Sequence, residues 1–484
     1  MKKMMKVTLA ILVGVAVGQN AIAADDTANA GKTKNVILLI SDGASPNTWK
    51  AASYFRHGAL GKEVYDSFDV KVFASTHPLN TSKTPTNTLE GSVVFDASKL
   101  WNDGKSDASF KSNLTSYSGY FDGYDYARTD FTDSAAAATA LASGQKTYNS
   151  AVNWSNNNTP LKNIGEYVVE NGKALGVVTS VQWSHATPAG FLSHNIERNN
   201  YAEIAKEAVE SGRASVIMGA GHPYYDKNGK RIKPEDDKAF RYVGGPEIWD
   251  KLSAGETDYM LIDEKEDFIA LAEGKLDLKG KSKLLGTAQN NATLQFNRAG
   301  VTSGNLLENQ PALATMAQGA LNILSQNPNG FFLMVEGGAV DWAAHANNLP
   351  RLIEEQIDFN LTVEAVVDWV NKNSSWNDTL VIVTTDHGNG LLLGPDSNGN
   401  FYSEIVNQGA GALPLVRWHF DNHTRELVPL FAKGNGADYF LSVAKEEANI
   451  GRYYNVEPAS QRYVDNTDVF RAAMNAFGFK EDKK

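Results

Sequence analysis

Phe131–Gly144, FTDSAAAATALASG, sets Ser134 ahead of a run of alanines and other small residues, the composition most favourable to a helix. Ser134 is therefore expected to open a helix, where unpaired N–H groups and the positive end of the helix dipole favour an anion such as phosphate. The segment reads equally as a helix with a serine cap, packed on a sheet through its alanines. Glu336, Asp341 and His345 lie in EGGAVDWAAHAN. Asp341 and His345 are four apart, so a helix starting near Asp341 puts both on one face, able to bind one ion, while Glu336 could reach a different one. An Asp cap beside a surface histidine is the alternative. Asp386 and His387 follow the apolar run TLVIVTT, where a charged Asp is costly unless paired or metal-bound. His423, in DNHTRELVPLFAKG, precedes a strand-like run, and His419 competes with it as a ligand. Arg198, in HATPAGFLSHNIERN, falls on an expected helix and alone reads as a surface charge.

Something must bring these residues together. NVILLI after Lys34 is a continuous apolar run ending at Ser-Asp-Gly, the pattern of a buried parallel strand, with Asp42 just past its end. ALGVVTSVQ from Ala174 leads likewise to His185 and Thr187, GFFLMV from Gly330 to Glu336, and TLVIVTT from Thr379 to Asp386 and His387. Four strands thus deliver polar residues at one kind of position, the edge at which open α/β sheets bind ligands. Helical patterns over Ile164–Asn171, Tyr201–Ser211, Ala312–Ser325 and Leu352–Trp369 supply the crossovers. Two regions break this rhythm. Residues 79–127, rich in Ser, Thr, Asn, Gly and Tyr, read as a long insertion over the site entrance. Residues 223–300, polar with weak helical pieces, read as a peripheral excursion, and no internal repeat is found.

Lys2, Lys3 and Lys6, the apolar run Val7–Val17 and Ala21-Ile22-Ala23 make the three parts of a secretory leader. The run is too short to span a membrane. A mature chain beginning near Ala24, periplasmic or secreted and with no membrane partner, is expected. It contains no cysteine, so its stability must rest on core burial and bound ions. Loss of the three leader lysines takes the formal charge from −11 to −14, which argues against nucleic acid as a partner. A phosphate site in so acidic a chain needs dense local positive charge, from metals or arginine.

In order, ISDG, TDSAAAATALASG, HATPAGFLSHNIER, FFLMVEGGAVDWAAH, VIVTTDHG and HTRELVPLFAKG resemble the alkaline phosphatase family over most of the mature chain. The resemblance implies one doubly wound α/β domain over residues 24–484, with a mostly parallel central sheet and helices on both faces. It also implies a homodimer that hydrolyses small phosphate monoesters through a phosphoserine, with two zinc ions and one magnesium. Carried over by position, Ser134 is the nucleophile and Arg198 the phosphate clamp. Asp341, His345 and His423 hold the first zinc, and Asp42, Asp386 and His387 the second, with Asp42 bridging to a magnesium that Thr187 and Glu336 also bind. His185 and Trp342 stand beside the magnesium and phosphate, a pairing similar to that of some marine bacterial members. Phe131 replaces the usual Val or Ile, and the distance from Thr76–Pro78 to the nucleophile exceeds the family's. A phosphodiesterase or sulfatase of the same superfamily is the nearest rival, though the C/S-x-P-x-R setting of sulfatases is missing. A zinc- or phosphate-binding protein without turnover is the second.

Overall fold

The strand Asn35–Ser41 (β1) is buried along its whole length, and its side chains alternate between two cores. Val36, Leu38 and Ile40 enter one, Ile37 and Leu39 the other. Only a strand inside a sheet covered on both faces can do this. The computed structural model describes residues 32–101, 122–300, 305–397 and 402–482. The expected leader, residues 1–23, lies outside them, as does residues 102–121 of the expected insertion.

After β1 come β2 (Val70–Ser75), β3 (Ala174–Gln182), β4 (Val216–Ala220), β5 (Tyr259–Ile262), β6 (Lys283–Thr287), β7 (Phe331–Gly337) and β8 (Thr379–Thr384). Four two-residue strands follow, β9 (Gly388–Asn389), β10 (Leu392–Leu393), β11 (Arg417–Trp418) and β12 (His423–Thr424). Last are β13 (Val428–Gly434), β14 (Lys445–Glu446) and β15 (Arg462–Asp465). Eleven of them form one sheet in the order β14-β15-β2-β13-β8-β1-β7-β3-β4-β6-β5, while β9 pairs with β12 and β10 with β11. The run from β8 through β1, β7, β3, β4 and β6 to β5 is parallel throughout. β13 is antiparallel to both its neighbours.

The first helices are α1 (Pro46–His57), α2 (Ser134–Ser143), α3 (Ile164–Glu170), α4 (Ala186–Leu192), α5 (Tyr201–Glu210), α6 (Pro246–Ser253) and α7 (Lys265–Ala272). Then come α8 (Leu313–Leu324), α9 (Ala339–His345), α10 (Leu349–Asn373), α11 (Tyr439–Val443), α12 (Ala448–Tyr454) and α13 (Thr467–Phe477). α3, α5 and α13 cover one face through Tyr167, Ala205 and Phe470. α8 and α10 cover the other through Met316 and Phe359. The sheet is therefore mostly parallel, with helices on both sides.

Parallel register levels the strand ends. Ile40 stands opposite Glu336 on β7 and Thr384 on β8, and Thr179 on β3 also faces Glu336. α2 seats deep because its side chains are small: a Cβ on Gly190 of α4 would fall 2.7 Å from Ala138 Cβ. Two expectations need correction. The 223–300 region is not merely peripheral, since it builds β5 and β6 into the sheet. Arg198 lies on no helix but in the turn between α4 and α5, because loop hydrogen bonds hold it, its N–H donating to Ser150 O at 2.8 Å. No helix among the described residues is long and apolar enough to cross a membrane.

Candidate metal centre and serine site

Asp42 just past β1, Glu336 in the last residues of β7 and Asp386 just past β8 are all buried. The turn after β1 needs Gly43, whose φ is +69° and whose place a Cβ would bring to 2.7 Å from Asp341 Cα. Gly43 N–H donates to Asp386 Oδ1 at 3.1 Å and His387 N–H to the same oxygen at 2.9 Å. The other oxygen, Asp386 Oδ2, is buried with no hydrogen-bond partner among the described residues, as are Asp42 Oδ1 and Glu336 Oε1. Thr187, on α4, donates to Asp42 Oδ2 at 3.2 Å. Thr179 donates to Glu336 Oε2.

Three histidines complete the cluster, each set by a backbone carbonyl. Nδ1 of His345 donates to Asp421 O at 2.7 Å, that of His423 to Thr132 O at 2.8 Å, and that of His387 to Gly388 O at 3.2 Å. A carbonyl only accepts, so each ring carries a proton on Nδ1 and turns Nε2 inward, as a lone pair when the ring is neutral. Yet His423 Nε2 lies 3.0 Å from His345 Nε2, and His387 Nε2 lies 3.1 Å from Asp386 Oδ2. Neutral rings and an ionised carboxylate would set electron pairs face to face at these distances, so a proton or a metal ion must lie between them. Asp341 completes one side, 3.4 Å from both His345 and His423. Ligand atoms of Asp341, His387 and His423 lie within 4.8 Å of one another, as do those of Asp42, Asp386 and His387. The donors suit the expected ions: histidine with carboxylate for zinc, carboxylate with hydroxyl for magnesium.

The acids on the two sides of this centre titrate in opposite directions. Burial, with Asp386, Asp341 and Glu336 nearby, pushes Asp42 well above the carboxylate range. Burial raises Glu336 to about 7 and, together with Asp341, raises Asp386 to about 6. Burial also acts to raise Asp341, but His345 and His423 outweigh it and hold that carboxyl well below its usual range. Burial and His423 keep His387 neutral.

Ser134 is the first residue of α2, as expected, and its hydroxyl lies 3.2 Å from His387 Nε2. The cap, however, is Asp133, whose side chain accepts from Ala136 N–H at 3.0 Å. Asp133 also accepts from Arg198 at 3.0 Å, tying the guanidinium to the serine's helix. His185 caps α4 in position, with its ring 5.6 Å from that of Trp342 and 6.1 Å from that of Tyr201. His419 stands apart, bonded to Ser397 at 2.7 Å. Among the missed residues, Asp133 was visible as the acidic residue at the helix start. Thr179 and Asn389, which donates to Asp341 Oδ1 at 2.6 Å, gave no local signal.

Sheet and helices define an α/β protein with the alkaline phosphatase architecture. The alkaline phosphatase of the Antarctic bacterium TAB5 aligns over 93% of this chain and 100% of its own, with a TM-score of 0.60 at 22% identity. The family profile described as Alkaline phosphatase matches residues 105–410, and the chain belongs to that family. Alkaline phosphatase 3 of Bacillus subtilis (strain 168) is 32% identical over 283 residues, 57% of this chain and 53% of that protein. Alkaline phosphatase H of Pseudomonas aeruginosa (strain UCBPP-PA14) is 30% identical over 321 residues, 59% of this chain and 63% of that protein. The chain thus matches about half to under two thirds of the length of these curated relatives.

Proposed function

We propose that this protein hydrolyses phosphate monoesters through a phosphoserine on Ser134, with two zinc ions and one magnesium bound. The observation that carries the reading is the convergence of Nε2 of His345, His423 and His387 and Oδ2 of Asp386 beside a serine hydroxyl at a helix start. Asp341, His345 and His423 would hold the first zinc, and Asp42, Asp386 and His387 the second. Glu336 and Thr187, with Asp42, would hold magnesium. Zinc in such a centre lowers the pKa of a bound hydroxyl and offsets charge on a leaving oxygen.

The chain's own residues do the rest. Ser134 gives up its proton to solvent, its Oγ attacks phosphorus in line, and the departing alcohol oxygen takes a proton from solvent in turn. The ester P–O bond breaks, and its electron pair leaves with the alcohol oxygen. Arg198, aimed by Asp133, holds two non-bridging oxygens by charge-assisted hydrogen bonds. Water then cleaves the phosphoserine, restoring the hydroxyl and releasing inorganic phosphate. His185 and Trp342 line the phosphate and magnesium side. Export as a homodimer belongs to the same reading, supported by the leader-like residues 1–23 and by the family.

The test is metal analysis of purified protein together with hydrolysis of 4-nitrophenyl phosphate, bis-4-nitrophenyl phosphate and 4-nitrophenyl sulfate, before and after chelation. Preference for the monoester, lost on chelation and restored by zinc and magnesium, is expected. Turnover that survives complete metal removal sinks the proposal, and preference for the diester or sulfate reassigns the substrate.

A further inference from the structure

We propose that the groove between α10 and the turn at Gly411–Leu413 binds a small organic ammonium ion with an apolar body, its charged head meeting Glu355. The groove, about 540 Å³ in volume, is walled by Phe55, Leu306, Ile353, Ile357, Leu361 and Leu413, with Glu354, Glu355 and Asp358 also facing it. It lies outside the serine site and does not depend on the function proposed above.

The three acids are not equivalent. Glu354 is taken by Arg298, through bonds of 2.5 and 2.7 Å, and by Arg351 at 3.4 Å. Asp358 accepts from the backbone N–H of Leu313, at the first turn of α8. Glu355 is only 6% exposed, and its Oε1 is buried with no hydrogen-bond partner among the described residues. A carboxylate left so is costly and invites a donor carrying positive charge. Burial, then Asp358 and Glu354, push it up to about 8, against the pull of Arg298 and Arg351.

The occupant's chemistry follows from what lines the groove. No histidine lines the groove, and its acids are not among the ligand clusters that converge tightly enough for a metal in the described residues. A bare ion would also leave the walls wet. Leu306, Leu361 and Leu413 are 55%, 41% and 42% exposed, and each methylene buried against them strengthens binding about four-fold. An alkylammonium satisfies both requirements: three N–H donors for the carboxylate and a chain for the leucines. Phe55 adds an aromatic edge to the same wall.

Isothermal titration calorimetry of the full chain at pH 9, where Glu355 is ionised and the amine still charged, with hexylammonium, hexanol and hexanoate tests this, in wild type, Glu355→Gln and Leu413→Ser. Hexylammonium is expected to bind once per chain and to lose about ten-fold in affinity in Glu355→Gln, with a smaller loss in Leu413→Ser. Hexanol and hexanoate are expected to bind at least about ten-fold more weakly than the amine. Equal binding of amine and alcohol, an amine affinity unchanged by Glu355→Gln, or no amine binding up to about millimolar concentration overturns the proposal. So does sedimentation showing that Glu355→Gln alters self-association instead of amine affinity, which assigns the groove to a second copy of this chain. Circular dichroism of both variants separates loss of the site from loss of the fold.

Discussion

The centre at the ends of β1, β7 and β8 and the groove along α10 are both places where burial drives carboxyl groups upward, Glu336 to about 7 in one and Glu355 to about 8 in the other. They differ in what converges. The first draws its side chains from several strands and helices, and three histidine rings, each bonded through Nδ1 to a carbonyl, turn Nε2 toward the acids. In the second, all three acids come from one helix, two are already engaged, and the walls are apolar. Convergence from many elements makes a site for small, highly charged ions, whereas acids spread along one helix leave room for a larger, softer cation. A third cluster closes the series: His194 sits between Glu166 at 3.2 Å and Glu207 at 2.9 Å, so the chain supplies its own positive charge.

If the first centre is the reactive one, Ser134→Ala is expected to lower 4-nitrophenyl phosphate turnover by about 10⁴-fold or more and to abolish the phosphoenzyme seen by acid quench, with metal content unchanged. Metal loss in that variant would make Ser134 structural. Arg198→Ala is expected to raise the inhibition constant for inorganic phosphate by about 10- to 100-fold; an unchanged constant removes the clamp.

Chelation should separate the two acidic sites cleanly. Metal removal is expected to lower the Tm by about 10 °C while leaving the hexylammonium titration unaltered. A chelator that also abolishes amine binding would show that one centre had been mistaken for two.

Smaller effects follow from titrating groups outside the candidate metal centre. The pKa of Glu355 in the fold, about 8, stands above the ordinary 4.5, so the wild type loses stability as pH rises from 4.5 through 8. Glu355→Gln escapes that loss, and its Tm is expected to exceed the wild type's at pH 9 by about 5 °C, with little difference at pH 5. For His194, burial acts to lower the pKa, but Glu166 and Glu207 outweigh it and raise it to about 9 from 6.5. Its contribution is complete below pH 6.5 and is lost as pH passes 9. His194→Gln should therefore cost about 3 °C of Tm at pH 6 and nearly nothing at pH 10; a constant difference across that range would assign His194 a packing role instead.

Much of the sheet could be read in advance where apolar runs were long. β3 and β8 begin at Ala174 and Thr379, as their sequence patterns indicate. The four- and five-residue strands β5 and β6 escaped, because neighbouring Asp, Glu and Lys residues swamp runs so short and only pairing, of β6 with β4 and of β5 with β6, makes them strands. The acids past the strand ends were legible for a related reason: a buried parallel strand leaves little choice about where its next polar residue falls. Arg198 illustrates the limit. Its turn is held by Ser150, and its guanidinium by Asp133, through contacts that leave no period in the sequence.

Residue type and order by themselves determined that Asp42, Glu336, Asp386 and His387 would stand at one edge of a parallel sheet, because strand direction and apolar run length are local properties. They also determined that Ser134 would open a helix of small residues. Only the tertiary structure decided which nitrogen each histidine offers, since that depends on carbonyls as remote as Thr132 from His423 and Asp421 from His345. It alone separated a carboxyl with an unpartnered buried oxygen, Glu355, from a neighbour already paired, Glu354. Such distinctions rest on where a charge finds its partner, and for buried groups that partner is set by packing between distant segments.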